Sequence, residues 1–275
     1  QVFGALVKPS ATADGTDNNF DIMSNGKQYW KNIPFEKIVF IDIETGSQVE
    51  DFREFDEYSQ ALWGEKRKSI LKWKPESEFL TEEEFYFENA GLYAEFGRVI
   101  CVSVGVLKPG GGELHIKTFG DADETVVLED LKNFLDQVSK DRSVLCGHNI
   151  KEFDVPFLAR RMLACGISLP PQLDVSGLKS WDIAHIDTME LWKFGDNKSY
   201  TSLKLLLNVF GIASPKDDID GSEVNAVFWR ENELERIVKY CEKDVIAVAQ
   251  LFLRFRDHAQ VTEDAINIRE WNEQG

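Results

Sequence analysis

Apolar residues run almost without interruption through Lys37-Ile38-Val39-Phe40-Ile41, which predicts a strand buried on both faces, since a half-exposed strand would alternate with polar residues. Two further strands are expected at Arg98–Leu107 and Glu113–Thr118, joined by the turn Pro109-Gly110-Gly111-Gly112. Asp123–Ser139 sets Val127, Leu128, Leu131, Phe134 and Leu135 on one face, the stripe of an amphipathic helix. A short strand at Ser143–Gly147 and a helix at Val155–Cys165, closed by Gly166, follow. Ser202–Phe210 reads as a helix ending at Gly211, and Glu231–Phe255 as a long amphipathic one. Residues 47–91 are charged and aromatic, with helical spacing in Tyr58–Ile70 and Thr81–Ala90. Thr81 and Glu84 match a capping box at the start of the latter. Strands first, then helices interleaved with a strand, give an α/β fold with a mixed-direction sheet. The expected organisation is an N-terminal extension over 1–36, with small polar Ala11–Asn19 and turn-like Met23–Lys27, and one domain over 37–275 with a helical insertion at about 47–91.

Composition narrows the class. A hydrophobic fraction of 43% with 12% aromatics supports a sizeable core and excludes wholesale disorder. No apolar run approaches the ~20 residues needed to span a bilayer, so no membrane role is expected. The start, from Gln1 to Val7, lacks a basic leader and Met, so it reads as a trimmed chain without an intact signal peptide. Cys101, Cys146, Cys165 and Cys241 form no C-x-x-C pair and sit in apolar stretches, the pattern of buried reduced thiols in an intracellular, cytoplasmic protein. Acids outnumber bases 48 to 31, giving a net charge of −17. Such a chain repels a polyanion at long range, and two divalent cations would bring it only to about −13. Any nucleic acid is therefore expected to be held locally, by one end.

Three places put acids where folding alone would not. In Asp42-Ile43-Glu44, alternate residues at the carboxyl end of a buried strand share a face. Two like charges there repel, and desolvation raises the cost; a divalent cation removes both penalties. The bland alternative is an acidic turn. Asp154, in Asn149-Ile150-Lys151-Glu152-Phe153-Asp154, opens a helix, where it is equally suited to be an N-cap. Tyr240 and Asp244 stand at i and i+4 of the long helix and so share a face, though an exposed helix with an incidental Tyr has the same spacing.

Taken together, "DIET", "NIKEFD" and "YCEKD" resemble the three signatures of the DnaQ-like, RNase H-fold exonucleases that carry four acids and a tyrosine. The flanking "LYAEFGRVICVSVG", "HIDTMELW", "YTSLKLLLNVFGI" and "DIDGSEV" are similar to the proofreading exonuclease domain of family-B DNA polymerases and to stand-alone, predicted PolB-like exonucleases. The resemblance covers about residues 37–256. It implies an RNase H-like mixed β-sheet flanked by helices, with a helical insertion after the first strand. It also implies 3′→5′ hydrolysis of single-stranded DNA or frayed 3′ ends, releasing 5′-mononucleotides, and a place in DNA repair. Two divalent cations, Mg²⁺ or Mn²⁺, would act on one phosphate. By motif, Asp42 bridges both ions, Glu44 and Asp244 complete one site, Asp154 serves the other through waters, and Tyr240 orients the attacking water. Thr45, Gly46, His148, Asn149 and Phe153 stand where substrate contacts are expected, and Lys151, Arg160, Arg161 and Lys204 are further phosphate candidates. The insertion's aromatics suit either stacking on single strands or helix packing, and packing is the simpler reading. Asp187 is assigned a structural role. DNA is favoured over RNA as the partner; an exoribonuclease and a silent nucleic-acid-binding module are the alternatives.

Overall fold

The computed structural model describes residues 28–140, 142–196, 198, 200–213 and 219–269; the expected small polar and turn-like stretches within 1–27 lie outside them. The sheet is built from β1 (Ile38–Ser47), β2 (Gly97–Leu107), β3 (Leu114–Gly120), β4 (Val144–Gly147), β5 (Ile186–Asp187) and β6 (Ile266–Arg269). Its spatial order is β5-β4-β1-β2-β3-β6. β2 pairs antiparallel with β1 and β3, while β4 runs parallel to β1 and β5, and β6 parallel to β3. The fold class is thus the mixed α/β sheet flanked by helices that the sequence predicts.

The helices are α1 (Glu57–Leu71), α2 (Glu82–Asn89), α3 (Glu124–Ser139), α4 (Asp154–Ala164), α5 (Thr188–Lys193), α6 (Leu203–Phe210), a short α7 (Val224–Ala226) and α8 (Leu234–Phe255). Both faces of β1 are covered, which is why its sequence is continuously apolar. Val39, Ile41 and Ile43 pack with Leu128, Leu131, Val155 and Leu158 of α3 and α4. Ile38 and Phe40 pack the other way, against Val245, Val248, Ala249 and Phe252 of α8. Continuing that alternation, Asp42 and Glu44 fall on the α8 side. The insertion has its own core of Phe52, Trp63, Ile70, Phe85, Tyr86 and Ala90, so packing accounts for most of its aromatics.

One expectation needs correction. The helix expected from Glu231 begins at Leu234; before it, Val227–Glu231 is a π-helical turn that stops at Asn232, whose φ of 56° breaks the helical ladder. Residues 28–36 of the expected extension pack on the domain: Tyr29 donates to the Ala184 and His185 carbonyls at 2.9 and 3.0 Å, and Arg256 donates to the Ile33 carbonyl at 2.7 Å. No helix among the described residues is long and apolar enough to cross a membrane.

Candidate active site

The strand β1 carries its acids past the point where its neighbour β4 stops pairing: the β1–β4 ladder spans only Ile38 to Phe40. A side chain at Gly147 would run into the Ile41 carbonyl at 2.7 Å, so glycine lets the β4 end approach the strand closely. Asp42 and Glu44 lie beyond that end, and one ligand atom from each, together with the Cys241 sulfur of α8, all fall within 4.8 Å of one another. The Cys241 thiol is 3.4 Å from the Asp42 carbonyl and 3.5 Å from its Oδ2, which fastens α8 to the strand at the acidic pair. From the sequence Cys241 is only a buried, reduced thiol; its position directly after Tyr240 is the available signal of this role.

Asp154 and Asp244 complete the electrostatic group. Burial, then the charges of Asp154, Glu44 and Asp244, pushes the Asp42 carboxyl well above the ordinary carboxylate range. Glu44, only 8% exposed, is pushed up by burial and by Asp244 and Asp154. Asp154, 4% exposed, rises to about 8, chiefly through burial and with a contribution from Asp187; its own amide and that of Ile43 hydrogen-bond the carboxylate and oppose the rise. The N-cap role open to Asp154 is not taken: it is the first residue of α4, and Phe153 occupies the cap position without a side-chain bond.

This donor set suits a hard divalent cation. None of the groups that chiefly shift Asp42, Glu44 or Asp154 is a cation. A buried acid elsewhere in the molecule, Glu124, is instead met by Arg161 at 2.9 and 2.6 Å and by the Val99 amide at 2.7 Å. The acceptor-only oxygens of Asp42, Glu44 and Asp154, shifted chiefly by burial and by other acids, are what Mg²⁺ or Mn²⁺ would satisfy.

The residues around the acids are held by identifiable contacts. Thr45 donates to the Gly91 carbonyl at 2.7 Å, and a side chain at Gly46 would meet Asn225 Oδ1 at 2.7 Å. Asn225 also accepts from the Ser47 amide at 2.8 Å and donates to the Phe87 carbonyl at 2.7 Å, so α7 joins the end of β1 to α2. Nothing in the sequence pattern singled out Asn225. His148 donates from Nε2 to the Thr201 carbonyl and has Nδ1 2.9 Å from Thr188 Oγ1, so both ring nitrogens are engaged, and burial lowers its pKa. Asn149 adopts φ 65°, with its amide on Asp187 Oδ1 at 2.9 Å. Phe153 packs at the core edge against Phe157, 5.5 Å between ring centres. Asp187 accepts from the Asn149, Lys151, Met189 and Glu190 amides and so holds the loop before Asp154 to α5. Two phosphate candidates are corrected: Lys151 pairs with Glu190 at 2.9 Å, and Arg161 is the buried partner of Glu124, so their charges are committed within the fold. Arg160 and Lys204 are exposed.

Residues 91–273, more than half of the chain, match a family described as "Predicted 3'-5' exonuclease related to the exonuclease domain of PolB". The matched span holds Asp154, Tyr240 and Asp244, while Asp42 and Glu44 precede it. Among solved structures, the family B DNA polymerase from the hyperthermophilic archaeon Pyrobaculum calidifontis is similar, with 17% identity, a TM-score of 0.43, and coverage of 79% of this chain and 24% of that one. The chain therefore spans about a quarter of that polymerase's length. No curated protein matches.

Proposed function

Because this chain belongs to the family of predicted 3′→5′ exonucleases related to the exonuclease domain of PolB, we propose that it removes nucleotides from the 3′ end of single-stranded nucleic acid. DNA is the favoured substrate, since the relationship is to a DNA polymerase's exonuclease domain. The observation that carries the reading is the meeting of Asp42 and Glu44 within 4.8 Å, under the charges of Asp154 and Asp244. Asp42, Glu44, Asp154 and Asp244 would hold two divalent cations, Mg²⁺ or Mn²⁺, which when bound supply a water acidified toward neutrality and positive charge beside the departing 3′ oxygen. The carboxylates' own task is to stay ionised and fixed: Asp42 and Glu44 ride on a strand packed on both faces, Asp154 opens α4, and Asp244 is carried by α8. Tyr240, one helical turn before Asp244, has a hydroxyl suited to orient the attacking water. The products are 5′-mononucleotides.

The test is a single incubation with Mn²⁺ and 5′-labelled DNA and RNA oligomers of equal sequence. A ladder descending from the 3′ end, stronger on DNA, is expected. Intact oligomers would leave a binding module without catalysis, and a stronger ladder on RNA would reassign the substrate.

A further inference from the structure

Residues 65–74, Glu-Lys-Arg-Lys-Ser-Ile-Leu-Lys-Trp-Lys, hold five cations against one acid in a chain whose net charge is −17. They form the C-terminal half of α1 and the residues just after it. Three of the cations are engaged within the protein. Lys66 lies 4.3 Å from the centre of the Tyr93 ring and 3.7 Å from Glu95, and Arg67 donates to the Leu80 carbonyl at 2.6 Å. Lys74 donates to Asn89 Oδ1 at 3.3 Å. Lys68 and Lys72, one helical turn apart, are exposed and make no ion pair or side-chain hydrogen bond among the described residues. Beside them Trp73 is 85% exposed, and its indole touches no other ring among the described residues. The indole's face is thus open to a flat ligand, with Lys72 beside it in the chain.

The basic segment is tied to the acidic site. Lys74 binds Asn89, two residues before Gly91, and a side chain on Gly91 would stand 3.1 Å from Gly46 Cα. Gly46 is two residues past Glu44, so the path from Glu44 to Asn89 is at most roughly 20 Å.

We propose that Lys68, Lys72 and Trp73 form the surface that receives single-stranded nucleic acid upstream of its 3′ end, the lysines taking phosphates and the indole stacking on a base. The inference rests on the exonuclease reading and names what holds that substrate. Charge alone would suit any polyanion, including an acidic protein; a bare indole flanked by lysines selects a polyanion with flat, stackable groups. It also reconciles a net charge of −17 with a polyanionic substrate, because screening beyond about 8 Å leaves the local patch dominant.

For the test, the full chain carrying Asp42→Asn, to prevent cutting, is titrated with oligonucleotides of about four and about twenty nucleotides. The same chain with Lys68→Ala, Lys72→Ala and Trp73→Ala is titrated alongside. The longer strand should bind at least tenfold more tightly, and the triple substitution should erase that gain while leaving the melting temperature unchanged. Trp73→Ala alone should cost about tenfold on the longer strand, within the range for one stacked base. Loss of two phosphate contacts should make the slope of log affinity against log salt shallower by roughly 1.4. Poly-glutamate, and an oligomer of equal length lacking bases, should bind more weakly than the longer strand, the base-free oligomer by about the cost of Trp73→Ala. The inference is overturned if length brings no gain, if the gain survives the substitutions, or if poly-glutamate competes as well as the oligonucleotide. Should the wild-type chain bind the longer strand through these residues yet never shorten it with Mn²⁺, the exonuclease reading falls and this surface stands. Shortening by a chain whose affinity ignores length and these residues would remove the surface alone.

Discussion

Glu124 and Asp154 are both buried acids, and the protein treats them in opposite ways. Glu124 has a guanidinium partner, Arg161, whereas Asp154 is met by amides and by other acids. Glu124→Ala should therefore cost about 3–5 kcal/mol, because Arg161 would stay buried without its counter-charge. Asp154→Asn should abolish nearly all cleavage yet leave the metal-free melting temperature at pH 8 unchanged or higher, since it removes an unpaired buried charge. Melting curves and the oligomer assay on the two variants check both statements, and equal destabilisation would contradict them. A third buried acid, Glu242, follows Cys241 on α8; Thr118 donates to it at 3.0 Å, and Ser103 lies 2.8 Å from Thr118. His185 adds a pH dependence of its own. Burial lowers its pKa to about 4, with Nε2 donating to the Gln172 carbonyl and Nδ1 accepting from the Leu145 amide. Between pH 6.5 and about 4 the unfolded chain takes up a proton that the folded chain refuses, so stability is lost as pH falls through that window, by up to about 3 kcal/mol. His185→Gln should melt with a weaker dependence on pH across that range; an unchanged dependence would contradict the assignment.

At the scale of elements, β1 and α8 bring the acids together, and the loop before α4 delivers the last of them. Asp187 ties that loop to α5, accepting from the Asn149 and Lys151 amides of the loop and the Met189 and Glu190 amides of the helix. Asp187→Ala should cost about 1–3 kcal/mol and also lower cleavage, because Asp154 would lose its fixed approach. Normal cleavage by a destabilised Asp187→Ala chain would show the loop to be unnecessary. Periodicity made β1, the β2–β3 hairpin, α3, α4 and α6 legible, because each buries a regular apolar stripe or run against a neighbour. The two-residue β5 carries too little pattern to be read, and β6 is an edge strand with only partly covered residues. The π-helical turn, only five residues long and almost entirely before the expected helix start, carries too short a pattern to be read. In the site, the acids were legible because charge at the end of a buried strand needs a reason. The supporting contacts of Cys241 and Asn225 were not, because their partners lie 199 and 178 residues away in the chain.

Over the whole molecule, the net charge of −17 sets two demands, counter-charge at the acidic centre and a local foothold for substrate. Binding of cations to the folded chain alone stabilises it, by about 2.7 kcal/mol at a hundred times the dissociation constant. For a domain of this size that corresponds to a rise in melting temperature of about 5–10 °C. The decisive measurement is the melting temperature of the wild-type and Asp42→Asn chains with and without saturating Mn²⁺. The wild type should rise by several degrees and Asp42→Asn should lose most of that rise. No rise in the wild type, or the same rise in both, would contradict a cation site built on Asp42, Glu44, Asp154 and Asp244.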